Sequence, residues 1–244
     1  MDRATIRGMV GRVLVIGVAA ALGSSLLAWG GLRLSGSRTH QLVGELVTRV
    51  ETSDSLIALT FDDGPVPVYT DSVLGVLDEL GVSATFFMVG AAMEAHPDLV
   101  AEVARRGHEL GNHSYSHRRL VLKRPRTIRR EIEETDALIR AAGRAQEILV
   151  RPPYGKRLLG LPLYLWRRDR PVVLWDLEPD TYHSRPDDVV RYVLDRVRPG
   201  SIILLHVEMP SRSANRTALR RMIPRLLARG YQFVTVSELL AESR

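Results

Sequence analysis

The sequence predicts an α/β fold: a parallel sheet of about seven strands with helices outside it, forming a small or incomplete (β/α) barrel behind an N-terminal membrane-spanning helix. Three observations point there. Short apolar runs alternate with amphipathic stretches at helical spacing after residue 54, the pattern of parallel strands joined by crossover helices. Gly81 and Gly107 stand where helical periodicity stops, a usual C-terminal signal. Polar residues with chemical potential fall just beyond the strand-like runs, where parallel α/β folds assemble their sites.

In chain order, Arg3, Arg7 and Arg12 precede an uncharged stretch from Val13 to Leu32. Those 20 residues would make about 30 Å of helix, the hydrocarbon thickness of a bilayer. Arg33 and Arg38 follow, so the positive-inside bias placing residues 1–12 in the cytoplasm is present but shallow. A cleaved signal peptide, processed near Ala19–Ser25, competes with a retained anchor. The stretch is long for a signal peptide's apolar core, which favours the anchor. Both readings place the rest of the chain outside the cytoplasm. Residues 33–54 turn polar, with a short amphipathic piece at Gln41–Val50, and read as a linker to a single domain at 55–244.

Within that domain Leu56–Phe61 reads as a buried strand, and Ser72–Leu80 as a helix closed by Gly81. Ala84–Val89 is a second strand, and Leu99–Arg106 a helix stopped by Gly107. Residues 127–142 form a charged amphipathic helix, and Ile148–Val150 a short strand. Val172–Trp175, Ser201–Leu205 and Phe233–Val236 complete the strands, with helices near 186–197 and 214–229 between them.

Composition narrows the chemistry. The chain of 244 residues is 45% hydrophobic and 25% charged, ordinary for a globular protein. It lacks cysteine, which excludes disulfides, thiolate metal sites and thiol nucleophiles. Its 34 basic and 28 acidic residues give a net charge of +6. Only Lys123 and Lys156 are lysines, the arginines are scattered, and aromatics reach 6%. A nucleic-acid partner is not expected, since such proteins carry a dense basic stripe with interleaved aromatics.

His113 and His117 sit four apart in Gly111-Asn112-His113-Ser114-Tyr115-Ser116-His117. In a helical turn positions i and i+4 share a face, so both imidazoles could reach one cation. Asp62-Asp63-Gly64-Pro65 is turn chemistry on its own. Combined, two histidines and one aspartate make a three-ligand set with an open position, as in a catalytic zinc site; cobalt and nickel suit the same donors. The second carboxylate could then take a proton from an activated water.

Thr60-Phe61-Asp62-Asp63-Gly64-Pro65, His113-Ser114-Tyr115-Ser116-His117, Arg151-Pro152-Pro153-Tyr154-Gly155 and Leu205-His206 resemble the ordered motifs of the polysaccharide deacetylases, the NodB-homology domain of carbohydrate esterase family four. The resemblance covers about residues 55–240. It implies a distorted (β/α) barrel that uses a divalent metal, zinc foremost, to remove acetyl groups from an N-acetylated glycan. By motif position it makes Asp62 the general base and Asp63, His113 and His117 the metal ligands. Arg151 would pair with Asp62, the Tyr154 backbone N–H would stabilise the oxyanion, and His206 would protonate the leaving amine. His40, His96, His108 and His183 fall in no motif.

The chain departs from the family pattern in one region. Where an Asp-x-x-Asp-Trp motif is usual, it reads Trp175-Asp176-Leu177-Glu178-Pro179-Asp180-Thr181-Tyr182. Tyr182 is the candidate for the missing aromatic. Asp176, Glu178 and Asp180 are candidates for the acid that keeps His206 protonated. Val207 and Glu208 follow His206, where the family often has Asp next. The metal set is untouched, so the reaction class is better specified than the substrate. Peptidoglycan or a chitin-like oligomer leads, ahead of an O-acetyl ester such as acetylxylan, a non-sugar amide, or glycan binding without turnover.

Overall fold

The structure, a computed structural model, describes residues 21–26, 28–143 and 147–242. Residues 1–12 and, within the expected anchor at 13–32, residues 13–20 and 27 therefore lie outside the described residues. Among the described residues no helix is long and apolar enough to cross a membrane.

The elements run β1 (Leu46–Val47), β2 (Leu56–Asp63), α1 (Tyr69–Leu80), β3 (Thr85–Met88), α2 (Gly90–Ala95), α3 (Pro97–Arg105), β4 (Glu109–Asn112) and α4 (Pro125–Ala141). They continue with α5 (Gly160–Trp166), β5 (Val172–Val173), α6 (Pro186–Arg196), β6 (Ile202–Leu205), α7 (Ser213–Ala228), β7 (Gln232–Val234) and α8 (Val236–Ala241). Every strand pairing is parallel, as strand–helix alternation requires. The larger sheet runs β4-β3-β2-β6, with β7 also on β2. β1 and β5 form a two-stranded piece. Single bridges join the pieces, from Asn112 to Val150, Val150 to Val172, and Leu177 to Ile203.

β2 is the central strand, and its burial explains its sequence. Strands covered on both faces read as continuous apolar runs rather than alternations. Ile57, Leu59 and Phe61 pack with Leu74, Phe86 and Leu219 on one side. Ala58 belongs to a second cluster with Phe87, Val150, Leu204 and Trp175. Because side chains alternate along a strand, Thr60 and Asp62 share the Ala58 side. That places polar groups at the C-terminal end of the sheet.

The strand set differs from expectation at two places. Residues 109–112, not among the expected strands, form β4, and 148–150, expected as a strand, contributes only the bridging Val150. Residues 33–54, expected as a linker, lie against the body of the protein. Leu46 and Val47 pair with Val172 and Val173, and Arg49 bridges to Ser201. Val47 and Val50 are buried, and such apolar burial offsets the entropy of ordering the segment. The wholly buried Arg157 fixes the segment upstream. It donates to Gln41 Oε1 (3.0 Å) and the His40 carbonyl (3.2 Å), and its N–H to the Ser35 carbonyl (2.9 Å).

Candidate active site

The end of β2 presents two carboxylates to one cleft. Alternation alone would send Asp62 and Asp63 to opposite faces. Asp63 breaks the strand with φ of 84°, and both side chains line the cleft. The next residue has to be glycine, since a Cβ on Gly64 would lie 2.6 Å from Glu208 Oε1. Glu208, buried under that turn, accepts from the Thr70 hydroxyl (2.7 Å). Burial pushes its carboxyl up to about 7, with the Thr70 hydrogen bond opposing.

The histidine pair converges by a different route from the expected helical turn. β4 ends at Asn112, and Ser114 and His117 then take left-handed backbone with φ of 66° and 54°. Such conformations persist only where surroundings over-determine them, and here they do. The Ser114 N–H donates to Asn112 Oδ1 (2.8 Å), and the His117 N–H to Ser114 Oγ (3.1 Å). Asn112 Nδ2 donates to Asp136 Oδ1 (2.7 Å) and the Ile132 carbonyl (2.9 Å), anchoring the loop on α4. Ser116 donates its N–H and hydroxyl to Glu131 (2.8 and 2.6 Å).

Asp63 Oδ1 lies 3.1 Å from His117 Nε2 and 3.8 Å from His113 Nε2. One donor atom from each of the three residues lies within 4.8 Å of the others. Asp63 Oδ1 is buried yet accepts no hydrogen bond, a costly state for a carboxylate oxygen unless a cation meets it. His113 Nδ1 faces the Arg151 carbonyl at 2.8 Å. A carbonyl only accepts, so the proton sits on Nδ1 and the Nε2 lone pair points at the site. Burial pulls the His113 pKa down, against the pull of Asp62 and Asp63. Burial also opposes ionisation of Asp63, but the close approach of His117 and the charges of His113, His206 and His117 outweigh it and lower its carboxyl to about 2. A charged oxygen without a donor, facing a neutral imidazole lone pair and a second ring nitrogen, fits a divalent cation.

Arg151 ties this group to Asp62. It is wholly buried, and it donates Nη1–H to Asp62 Oδ1 (2.7 Å) and Thr60 Oγ1 (2.8 Å). Nη2–H goes to the Leu174 carbonyl (2.8 Å). Its guanidinium lies 4.0 Å from the Phe87 ring centroid and 5.3 Å from that of Trp175. Burial lowers its pKa, and the Asp62 charge opposes that shift. One residue therefore positions Asp62 through its side chain and His113 through its carbonyl.

Tyr154 has left-handed backbone (φ 59°) after Pro152 and Pro153. Among the described residues its N–H donates to no carbonyl. Its side chain is 56% exposed, with the ring 4.8 Å from that of His117.

His206 follows β6, and the structure selects its acid from the three candidates. Asp180 Oδ2 accepts the His206 backbone N–H (2.9 Å) and faces its Nδ1 (3.0 Å). Asn215 Nδ2 donates to that same oxygen (2.9 Å) and to the His206 carbonyl (2.6 Å). Burial would lower the His206 pKa, but Asp180, Asp62 and Asp63 push it up to about 9. Asp176 instead accepts from Ser201 Oγ (2.9 Å) and the Ile202 N–H (2.9 Å). Glu178 accepts from Trp175 Nε1 (3.0 Å) and Arg38. Tyr182 is not the missing cleft aromatic. It is 63% exposed and stacks on Tyr192, whereas Trp175 lines the cleft.

All of these groups surround one cleft of about 740 Å³, with Asp62, Asp63, His113, His117, Tyr154 and His206 in its lining and Arg151 behind them. Sequence reasoning missed several contributors. Gly36 and Arg38 reach the cleft from the supposed linker, and Lys156 and Arg212 from beside the motifs. Asn215 carries no signal that sequence alone could expose. Thr60 carries a weak one, as a hydroxyl at an inward strand position.

Comparison with known proteins agrees with this arrangement. The family profile described as polysaccharide deacetylase matches residues 49–160. A peptidoglycan-N-acetylglucosamine deacetylase of Bacillus cereus is 33% identical over 207 residues, covering 81% of this chain and 93% of the relative. A chitooligosaccharide deacetylase of Sinorhizobium fredii is 37% identical over 207 residues, covering 76% of this chain and 92% of the relative. The crystal structure of a peptidoglycan N-acetylglucosamine deacetylase bound to an N-hydroxybenzamide compound superposes with a TM-score of 0.75 at 31% identity, covering 79% of this chain and 91% of that one. The chain belongs to the polysaccharide deacetylases of carbohydrate esterase family four and is a deacetylase enzyme.

Proposed function

We propose that the protein is a metal-dependent N-deacetylase acting outside the cytoplasm on an N-acetylglucosamine polymer, such as peptidoglycan or a chitin-like oligomer. One observation carries this reading. Asp63 Oδ1, buried without a donor, shares a cleft with two histidines, a guanidinium-paired carboxylate and an aspartate-held histidine. The printed activities of the relatives, on peptidoglycan N-acetylglucosamine and on chitooligosaccharides, support the substrate class.

Asp63, His113 and His117 would hold the ion, with zinc suiting the donors and cobalt or nickel following. Such an ion polarises the acetyl carbonyl and acidifies water. Asp62, oriented by Arg151, accepts a proton as water oxygen bonds to the acetyl carbon. The Tyr154 N–H donates to the oxygen that gains charge. His206 delivers its proton to the amide nitrogen as the C–N bond breaks, releasing acetate and a free amine on the sugar. A pKa near 9 keeps His206 protonated at neutral pH, as an acid for a poor leaving group requires.

Two further readings accompany this one. The bridges from β4 through Val150 to Val172, and from Leu177 to β6, support closure of the sheet pieces into a distorted barrel. The uncharged length of 13–32 supports a membrane anchor, tested by the mass of the membrane-extracted mature protein.

Acetate release from peptidoglycan, chitin oligomers and acetylxylan, measured after chelation and after adding zinc or cobalt, tests the function. Metal-restored release from the first two supports it. Release from acetylxylan alone, or release indifferent to chelation, overturns it.

A further inference from the structure

Charge in the cleft is paired almost throughout. Asp62 is matched by Arg151, and Glu178 by Arg38. Asp180 is matched by His206, with Arg212 at 3.7 Å. Asp63 belongs to the metal set. Lys156 stands outside this scheme. It lines the cleft half-buried, and among the described residues its ammonium makes no hydrogen bond or ion pair. It lies over the backbone of the 33–45 segment, with Nζ 2.3 Å from where a Cβ on Gly36 would sit. The absent side chain leaves the ammonium its space. A second cation lies against Tyr154, which lines the cleft. Arg119, exposed and without a carboxylate partner among the described residues, lies over the Tyr154 ring at 5.1 Å. Tyr154 thus has an unmatched positive charge on its ring and another two residues along the chain.

We propose that Lys156, supported by Arg119, binds a carboxylate carried by the glycan, so that the substrate is an acidic N-acetylated polymer rather than a neutral one. The inference rests on the N-deacetylase reading and narrows its substrate class. A cleft built for a neutral polymer gains nothing from a half-buried ammonium without a counterion. A cleft built for an acidic polymer gains a charge-assisted hydrogen bond in water-poor surroundings. The carboxylate could belong to a lactyl ether on the sugar or to a peptide attached to it, and the two sources can be separated.

The experiment compares kcat/KM for acetate release from four substrates with the zinc-loaded enzyme. These are an N-acetylglucosamine tetramer, a tetramer in which every second sugar carries a lactyl carboxylate, its methyl ester, and a peptide-bearing version whose lactyl group is blocked as the amide. The parent enzyme is expected to prefer a free-carboxylate substrate over both the tetramer and the ester. Whichever acidic substrate is preferred identifies the source. In Lys156→Ala the acidic-to-neutral ratio should fall about tenfold through KM, the size of one charge-assisted hydrogen bond. Lys156→Arg should restore most of it, Lys156→Glu should invert the preference, and Arg119→Ala should give a smaller fall. A parent without preference, or a Lys156→Ala variant that loses equally on all substrates, overturns the inference and leaves the N-deacetylase reading standing. A parent that releases acetate from none of the four overturns the underlying reading itself.

Discussion

Two acid–histidine clusters border the same cleft, and by composition they are hard to tell apart. Asp63 with His113 and His117, and His206 with Glu178 and Asp180, each bring three potential ligand atoms within 4.8 Å. Their hydrogen bonds separate them. In the second cluster Asp180 Oδ1 also lacks a donor, but Asp180 Oδ2 faces three nitrogens and Glu178 takes two donors, with Arg38 and Arg212 close by. Cations already occupy the field there, and another would be repelled. In the first, Asp63 Oδ1 has no hydrogen-bond donor, and the Nε2 lone pair of His113 points at it. The cations already paired with the carboxylates, rather than the tally of acids and histidines, distinguish an acid–base pair from a metal site.

The largest expected effect breaks the first cluster. His113→Ala should strip the metal and lower kcat/KM by about 10³-fold or more, because the ion contributes several kcal/mol of transition-state stabilisation. Metal content of the purified variant, beside its acetate release, is the check; stoichiometric metal at parent affinity would remove His113 from the ligand set.

Asp180→Asn tests the other cluster and should leave metal content intact. Its sign follows from the His206 shift. Loss of the carboxylate removes the largest influence raising that pKa from its value of about 9. The alkaline limb of kcat/KM, which reports the protonated acid, should therefore move to lower pH. A drop of about 10²-fold in rate at pH 8 is expected, within the range for general acid catalysis. An unmoved alkaline limb would mean that His206 is not the acid or that Asp180 does not hold it.

A smaller effect concerns the support beneath the metal ligands. Asn112→Ala leaves the buried Ser114 N–H without its acceptor and Asp136 Oδ1 with Arg170 as its one remaining donor. Each lost buried partner costs about 1–3 kcal/mol, and the histidine loop would relax. Metal affinity should fall about tenfold, toward the low end for residues that orient ligands, with unfolding shifted to lower denaturant. Unchanged affinity would show that the left-handed loop is held by Glu131 and Ser114 alone.

Asn112 also marks where the sequence became unreadable. Asp62 and Asp63, Arg151 and His206 were legible because each follows an apolar run, ending in β2, at Val150 and in β6 respectively, and His113 and His117 by their spacing of four. β4 was not, since Glu109-Leu110-Gly111-Asn112 has one large apolar residue and buries its two polar ones. Glu109 is satisfied there by the Thr85 hydroxyl (2.7 Å) and the Ser237 N–H (3.2 Å), groups 24 and 128 residues away. The same applies to the acid behind His206. Three acids within five positions look alike in sequence, and only the packing of Asn215 and β6 singles out Asp180. Residues 33–54 were misread because the two-residue strand they contain, Leu46–Val47, carries no periodicity to detect.

The smallest expected effect is at Tyr154, and its smallness is the point. The proposed contribution is a backbone N–H, and left-handed backbone with φ of 59° aims it. The side chain is mostly exposed, and its contacts with His117 and Arg119 are made by the ring rather than the hydroxyl. Tyr154→Phe keeps ring, backbone and cation–π contact, so kcat/KM should stay within about twofold of the parent. Tyr154→Gly also permits the left-handed conformation but leaves it unenforced, so kcat should fall with metal affinity unchanged. A large loss in Tyr154→Phe would instead assign the phenolic oxygen a direct role, and the oxyanion donor would have to be sought elsewhere around the cleft.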